Sequence, residues 1–347
     1  MKKTLAALIV TAFAASAANA AVVYDNEGTK VELNGSLRLI LEKADKKEYT
    51  AAGQSTKKAN SALRNAGSRF GITVKHNLDN DFYALGRLEF RFDDTTSRDK
   101  FGRLYAKRAY VGLGSKATGD ITFGRQLTIA DDLSQAVDYE YGFIPKGEYI
   151  PTAGTGVVRY DYKGIEGLQL SANYNFGQTN DEKGNPLKPG IKNAYAVGAL
   201  YTVGDLDARL AYGHTNFETG ASYAHRLDGV LASLGYKFGD FTLTGDFGYG
   251  HEKLDDAKVN KFYVSPGFAY QVVPASKVYG NYLYERAKGE SDKVKTHGFL
   301  LGADYKLHKQ VVLFVEGKYV TAKKYTNDAY DGKVKDRAIG VGMRVFF

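Results

Sequence analysis

One pattern dominates this sequence: segments of about nine to twelve residues in which apolar residues alternate with polar or small ones. In residues 31–42, four of the six odd positions are leucine, whereas the even positions include Glu32, Asn34 and Arg38. Successive side chains of a strand point to opposite faces, so the pattern predicts strands with a different solvent on each side. It recurs in residues 167–176 and 241–249, and helical periodicity is absent. The sequence therefore predicts an all-β fold.

Sixteen such segments predict sixteen strands. They are residues 31–42, 67–77, 82–92, 104–113, 120–125, 157–162, 168–176, 193–203, 206–213, 227–238, 241–249, 260–272, 277–286, 296–306, 310–320 and 336–347. Seven connections are short, at residues 78–81, 114–119, 163–167, 204–205, 239–240, 273–276 and 307–309, and the others are longer and charged, among them 43–66, 126–156, 177–192 and 321–335. Short turns that alternate with long loops are typical of an outer-membrane barrel with its turns in the periplasm.

A sheet that spans a membrane has to close on itself. An open edge in hydrocarbon leaves N–H and C=O groups unpaired, at a cost of several kcal/mol each. A barrel of sixteen strands is too wide for side chains to fill. We therefore predict a 16-stranded antiparallel transmembrane β-barrel with an aqueous lumen. A soluble propeller is the alternative, but the polar face carries too many charges for a core.

The first twenty residues predict an export signal. Lys2 and Lys3 precede an apolar run from Leu5 to about Ala15, and residues 18–20 have the small-x-small pattern that signal peptidase cuts. The apolar run is too short to cross about 30 Å of hydrocarbon as a helix. We expect a signal peptide over residues 1–20 and a single barrel domain over residues 21–347.

Composition argues against several other functions. The chain has no cysteine, which excludes a Cys-based metal site, and we expect no metal and no cofactor. Six scattered histidines without a repeated motif argue against an enzyme, which would need a His paired with a carboxylate or Ser. The basic residues form no arm or helix suited to nucleic acid. Outer-membrane lipid is the expected partner of the basic surface.

A substrate-specific channel, such as an oligosaccharide pore, is the alternative function. Such a channel would show a row of aromatic residues along the lumen, but alternation turns most Tyr and Phe outward or places them near strand ends, where an aromatic girdle belongs. Only Tyr83, Tyr263 and Tyr279 are predicted to face inward. A nonspecific water-filled pore is favoured.

Alternation also assigns charged side chains to the lumen. The inward set includes Arg38, Arg69, Arg87, Glu89, Arg91 and Arg159. The same rule turns Arg108 outward, where its charge would be costly against lipid and would suggest a position at a subunit interface or near headgroups.

The chain resembles the general diffusion porins of Gram-negative bacteria, most closely the major porins of Haemophilus and Pasteurella-type bacteria. The segments on which the resemblance rests are AVVYDNEGTKVELNGS at the predicted mature start, GSRFGI (67–72), LEFRF (88–92), AYVGLG (109–114), FGR (123–125) and the terminal VGMRVFF. Each segment alone is weakly specific, but their order along the chain matches the family.

This resemblance implies a constriction, formed where the third external loop folds into the lumen and faces a basic wall. Loop 126–156 has that position, and its acidic residues are Asp131, Asp132, Asp138, Glu140 and Glu148. The alternative interpretation is that these residues are scattered carboxylates of a solvated surface loop. Lys107 stands where the family has a further wall cation. Ser36 replaces the first-strand cation of the family, and Arg38 lies about 6.6 Å further along the strand.

The resemblance implies partners as well. It implies a homotrimer in the cell outer membrane, with loop 93–103 reaching into a neighbouring subunit, contact with lipopolysaccharide, and recognition of the terminal Phe347 by the barrel-assembly machinery. The expected function is passive diffusion of ions and small hydrophilic solutes. The sign of ion selectivity stays open, because the basic walls favour anions while the acidic loop favours cations.

Overall fold

The computed structural model describes residues 20–93, 101–219 and 225–347. Within these ranges one antiparallel sheet contains nineteen strands. They are β1 Ala21–Asn26, β2 Thr29–Thr50, β3 Ser55–Asn65, β4 Arg69–Asn77, β5 Phe82–Asp93, β6 Arg103–Ser115, β7 Gly119–Leu127, β8 Ala153–Ile165, β9 Leu168–Asn175, β10 Gln178–Asn180, β11 Pro186–Val203, β12 Leu206–Phe217, β13 His225–Phe238, β14 Phe241–Leu254, β15 Ala257–Val273, β16 Ser276–Lys288, β17 Asp292–His308, β18 Val311–Thr326 and β19 Ala329–Phe346. Two 3-10 helices cover Ile129–Leu133 and Lys146–Glu148.

The sheet closes into a barrel with sixteen strand positions. Strands at neighbouring positions of the ring pair antiparallel in chain order, and β19 pairs with β2 to complete the ring. Strands β3 and β4 are two segments of one position, because both pair with β2. Strand β10 is a short extension that pairs with β11. The predicted 16-stranded antiparallel barrel is confirmed. No helix in the described ranges is long and apolar enough to cross a membrane.

Two predicted loops are strands instead. The connection predicted over residues 43–66 is a hairpin, because β2 continues to Thr50 and β3 begins at Ser55. The connection predicted over residues 321–335 is also a hairpin, which turns at Asn327 and Asp328 with φ of 51° and 61°, as a tight hairpin turn requires. Both hairpins rise beyond the apolar band, so their strands lack the lipid-facing residues that identified the others.

The two faces of the barrel differ as the alternation predicted. Outward side chains such as Leu37, Val111, Leu301 and Val341 are between 59% and 64% exposed in the isolated chain. Such a surface belongs in hydrocarbon. The inward face is polar, and its side chains are covered by neighbouring strands and by the loop described next.

The loop between β7 and β8, residues 128–152, folds into the barrel. Its residues Ile129, Leu133, Tyr149 and Ile150 are at most 2% exposed and form one apolar cluster with inward side chains of the wall. The wall members are Ala196, Ala211, Leu231, Tyr263 and Leu283. We call residues 128–152 the constriction loop. Tyr141 of the loop belongs to a second apolar cluster with Ile40 of β2 and Phe314 of β18. The loop therefore packs against the wall from β11 round to β2, and the open part of the lumen lies beside β4 to β8.

The two ends of the described barrel meet along β2. Ala21 of β1 pairs with Leu33, and Phe346 of β19 pairs with Ser36. The N–H of Phe347 donates to the carbonyl of Gly35 at 3.1 Å, and the N–H of Gly35 donates back at 2.8 Å. Strands β1 and β19 therefore lie end to end on the same side of β2. Residues 1–19, which hold most of the predicted signal peptide, and residues 94–100 of the predicted loop 93–103 lie outside the described ranges.

Candidate pore constriction

Four arginines form a row across four neighbouring strands. Arg344 of β19 lies opposite Arg38 of β2, and Arg69 of β4 lies opposite Arg91 of β5. Arg69 is also the partner of Ser36, one step along the same face from Arg38. We call Arg38, Arg69, Arg91 and Arg344 the arginine row. It lies on the lumen face because these positions alternate with lipid-facing ones such as Leu37.

Three members of the row lack a carboxylate. Arg38 donates from Nε to Ser36 Oγ at 2.7 Å, and Arg69 donates from Nε to its neighbour Gly67 O at 3.1 Å. Arg344 donates to Tyr139 O of the constriction loop. None of the three forms an ion pair with a residue that the structure describes. Because arginine stays protonated, three adjacent positive charges border the lumen.

The fourth member of the row shares a carboxylate with another predicted wall residue. Arg91 Nε lies 2.6 Å from Glu89, and Arg87 Nη2 lies 2.8 Å from the same carboxylate. Glu89 is only 5% exposed. The single negative charge of Glu89 is therefore shared by two arginines, so this part of the wall also has a net positive charge.

A β-bulge corrects the prediction for Arg108. Glu89 pairs with Arg108 and the adjacent Phe90 pairs with Ala106, so Lys107 is the extra residue in β6. The extra residue shifts the alternation by one, which turns Arg108 inward, where it is 6% exposed. The prediction that Arg108 points outward is therefore wrong. Lys107 places its Nζ 2.7 Å from Glu182, in the connection after β10, rather than against the constriction loop.

A carboxylate of β18 holds the tip of the constriction loop. Glu316 of β18 is fully buried and accepts hydrogen bonds from the backbone N–H groups of Tyr139, Glu140 and Tyr141, at 2.6, 2.8 and 2.5 Å. The hydroxyl of Tyr279 donates to the same carboxylate at 2.8 Å. Sequence reasoning missed Glu316, although a lone acid directly after the apolar run of residues 311–315 marks an inward charge that needs partners.

The side chain of Glu140 is paired with an arginine that sequence reasoning also missed. Arg64 Nη1 lies 2.6 Å from Glu140, and the same guanidinium binds Glu42 through two bonds of 2.8 and 2.9 Å. The hydroxyl of Tyr141 donates to Glu42 at 2.9 Å. Glu140 therefore belongs to a charge network between the loop tip and the wall of β2 and β3.

Arg159 and Asp132, predicted on facing sides of the constriction, are in direct contact. Arg159 Nη2 lies 2.7 Å from Asp132, and Arg159 Nε lies 2.9 Å from Asp161. Both members of the first pair are less than 10% exposed. Arg209 Nη1 adds a bond of 2.6 Å to the backbone carbonyl of Asp132. This pair fixes the base of the loop to the wall.

The remaining loop carboxylates differ in their surroundings. Asp131 lies 3.5 Å from Lys146 Nζ within the loop. Glu148 is exposed, beside the buried Tyr149. Asp138 faces the pore water, yet enclosure inside the barrel and then the charge of Glu316 raise its pKa to about 6. Neither Asp138 nor Glu148 forms an ion pair within the described ranges.

Phe347 lies at the seam of the barrel, where β19 pairs with β2 and closes the ring. Its backbone hydrogen bonds to Gly35 continue the pairing of β19 with β2, and its side chain remains 39% exposed. This position leaves the aromatic ring accessible at the turn side of the barrel.

Closed antiparallel topology, an apolar outer belt and a lumen narrowed by an inserted loop together define an outer-membrane channel. A model of the Gram-negative porin family matches residues 4–325. The chain belongs to that family, and it forms a channel in the outer membrane for passive diffusion.

Similar proteins agree with this assignment. The chain is 31% identical to the major outer membrane protein of Pasteurella multocida strain Pm70. It is 30% identical to a second major outer membrane protein from Pasteurella multocida. Both matches cover the full length of both chains. Among solved structures, outer-membrane expressed OmpT of Vibrio cholerae superposes with a TM-score of 0.70 at 18% identity, covering 94% of this chain and all of the other. An anion-selective porin from Comamonas acidovorans gives a TM-score of 0.66 at 18% identity, covering 92% and 100%.

Proposed function

We propose that the constriction loop and the basic wall form a charged eyelet that favours anions over cations. The basic side consists of the arginine row with Arg87, Arg108 and Arg159, and the acidic side consists of Asp131, Asp132, Asp138, Glu140 and Glu148. Lys107 lies outside this set because it is paired with Glu182. The observation that carries the proposal is the imbalance in pairing. Within the part of the chain that the structure describes, Arg38, Arg69 and Arg344 have no carboxylate partner, whereas Asp131, Asp132 and Glu140 each have a cationic partner.

Opposite charges on facing walls create a field across the pore. Water aligns with this field, so an apolar solute that displaces the water is penalised more than a polar one. Filtering by size then becomes filtering by polarity. The unpaired arginines add a positive potential, which raises the local concentration of anions and lowers that of cations.

We infer that the channel is nonspecific and has no enzymatic activity. The inward aromatic residues Tyr263 and Tyr279 are buried beneath the constriction loop, so they support the loop and offer no surface along which a sugar could slide. Within the described ranges no cluster of His, Asp or Glu suits a metal ion. Liposome swelling with sugars of graded size tests this part, and a sharp preference for one sugar would overturn it.

We also propose the assembly that the family suggests. The mature chain would begin at Ala21 and form a homotrimer in contact with lipopolysaccharide, and the barrel-assembly machinery would recognise the terminal strand through Phe347. The exposed ring of Phe347 supports that last step. Cross-linking in intact membranes tests the trimer, and Phe347→Ala should slow assembly without changing the conductance of channels that do assemble.

Reversal potential in a salt gradient tests the selectivity directly. The purified protein is placed in a planar lipid bilayer with potassium chloride more concentrated on one side. The reversal potential should have the sign expected when chloride permeates more readily than potassium. A reversal potential of the opposite sign, with potassium the more permeant ion, would show that Asp138 and Glu148 dominate the eyelet, and the proposal would be wrong.

A further inference from the structure

We propose that Glu182 is a selectivity-determining residue of the channel, carried to the edge of the eyelet by a second loop. Glu182 lies in the connection between β10 and β11, and its carboxylate is 2.7 Å from Lys107 Nζ. Its negative charge cancels that of Lys107 and so lowers the positive charge beside the constriction. This inference builds on the proposed eyelet, but it concerns a change relative to the unmodified chain and holds whichever ion the channel prefers.

The segment that carries Glu182 is held by polar contacts with three neighbouring strands. Residues 177–185, which we call the strap, contain no apolar side chain. Gln178 accepts hydrogen bonds from the N–H and the hydroxyl of Thr155 in β8, at 2.9 and 3.2 Å. Arg125 of β7 donates to the carbonyl of Glu182 at 3.4 Å. The third strand, β6, contributes the lysine of the ion pair, so the strap crosses from β8 to β6.

The turn of the strap is fixed in shape by Asp181. Its carboxylate accepts hydrogen bonds from the backbone N–H groups of Lys183 and Asn185, at 2.9 and 2.8 Å, and from the side-chain amide of Asn185 at 2.9 Å. The N–H of Asp181 donates to the carbonyl of Asn185 at 2.9 Å. An aspartate that bonds to backbone groups just ahead of it stabilises a tight turn. Glu182 is therefore presented from an ordered turn.

The bulge in β6 explains why a lysine is available to the strap. Lys107 is the extra residue opposite Glu89 and Phe90, and a bulge re-aims a side chain away from strict alternation. The side chains of Lys107 and Glu182 are each only 18% exposed, so water and salt screen this pair less than a surface ion pair. Removing one partner would leave the other charge largely enclosed and unpaired.

The ion pair lies within electrostatic range of the eyelet. Lys107 interacts with the charge of Arg91 in the arginine row, and Glu182 interacts with that of Arg108. Arg108 in turn interacts with Asp131 of the constriction loop. Charges act on ions over about 10 Å at 0.1 M salt, so an uncompensated Lys107 would add to the positive wall. The carboxylate of Glu182 removes that addition.

Reversal potentials of three variants of the full chain, measured in a potassium chloride gradient, test the proposal. Glu182→Gln should raise the chloride-to-potassium permeability ratio about twofold, because the charge of Lys107 is no longer cancelled. Lys107→Gln should lower the ratio by a similar factor, since the carboxylate of Glu182 is then unpaired. The double variant should return to the ratio of the unmodified chain, because its net charge is the same although the ion pair is gone.

A latch with a purely structural role predicts a different pattern. If the pair only held the strap in place, all three variants would change the ratio in the same direction and increase the current noise, and that result would overturn the proposal. If Glu182→Gln alone fails to fold, the comparison of Lys107→Gln with the double variant still measures the effect of Glu182.

Glu218→Gln is the matched control. Glu218 lines the same cavity of about 750 Å³ as Glu182, but it forms no ion pair with a residue in the described ranges. Its removal should shift the permeability ratio much less. An equal shift in Glu218→Gln, or an unchanged ratio in Glu182→Gln, would overturn the role of Glu182. An unmodified channel that prefers potassium would instead contradict the proposed anion selectivity and leave these shifts as expected, so the two failures are distinguishable.

Discussion

The guanidinium carbon of Arg344 lies 4.6 Å from the ring centroid of Tyr139, which joins the last strand of the barrel to the tip of the constriction loop. The same ring stacks on Phe314 at 4.8 Å, and its hydroxyl donates to Asp304 at 2.6 Å. Wall charge and loop position are therefore coupled. Removing a wall charge changes both the potential in the pore and the support of the loop, and the predictions below separate these effects.

Glu316→Gln should loosen the tip of the constriction loop. An amide has one acceptor oxygen, and its NH2 group would point at backbone N–H groups that now bond to a carboxylate. We expect a loss of about 2–4 kcal/mol in the free energy of unfolding and larger fluctuations of the open-channel current. Glu285→Gln, which alters a single bond from Tyr149, is the control and should give a smaller effect. Equal current noise in the two variants would contradict the anchoring role.

Arg69→Ala should enlarge the pore and shift its selectivity toward cations. Among the described residues, the Arg69 side chain bonds to Gly67 O through Nε and forms no ion pair, so removing it deletes a charge without releasing a described carboxylate. Single-channel conductance and reversal potential in a salt gradient measure the two effects. Arg226→Ala, on the outward face of β13, should change neither. An unchanged reversal potential for Arg69→Ala would remove this residue from the constriction.

Anion preference should increase as the pH falls through about 6. The pKa of Asp138 is raised to about 6 by enclosure and by Glu316, while Arg344 and Lys146 act in the opposite direction and Glu140 adds to the rise. Below that pH the carboxyl is neutral, so the eyelet gains net positive charge. Reversal potentials measured from pH 4.5 to 8 should show this step, and Asp138→Asn should abolish it.

The same raised pKa fixes the sign of a stability effect. A carboxyl whose pKa is higher in the folded than in the unfolded chain stabilises the fold below pH about 3.9, and that contribution is lost as the pH rises through about 6. Asp138→Asn should therefore be relatively more stable at pH 7 than at pH 4. The opposite trend in urea unfolding midpoints would contradict the assignment.

Gly213→Ala should narrow the pore. A Cβ atom at Gly213 would lie 2.6 Å from Cγ2 of the buried Ile150, so the constriction loop would have to move toward the open side of the lumen. We expect lower single-channel conductance with little change in reversal potential. Gly245→Ala is the matched control, because a Cβ atom there meets nothing within 4 Å. An increase in conductance would mean that the loop detaches instead.

The sequence predicts the barrel well because a spanning strand must present apolar residues to lipid at every second position. That requirement ends at the headgroups, so the hairpin of β2 and β3 from Lys43 to Ser61 carries no continuous apolar face and resembles a loop. Arg108 was assigned to the wrong face for a different reason. A single extra residue at Lys107 shifts the alternation. The sequence marks the bulge only by placing outward Leu104 at an even position and outward Val111 and Leu113 at odd positions.

Loop contacts were harder to predict than strands. Tyr141 and its acceptor Glu316 are 175 residues apart, and Arg64 reaches Glu140 across 76 residues. Periodicity carries no information about which inward residue faces which loop residue. The pairing of Asp132 with Arg159 shows the consequence, because both were assigned to the constriction from sequence while their direct contact became visible only in three dimensions.

The seam at β2 constrains the order in which this molecule can be built. Strand β2 is among the first to emerge during synthesis, yet one of its edges is covered only by residues 332–346 and, below them, by β1. Until the last residues arrive, the part of that edge from Ser36 to Thr50 has no hydrogen-bond partner within the described chain. Insertion into lipid must therefore wait for completion of the polypeptide, or a temporary strand from another protein must shield the edge in the meantime.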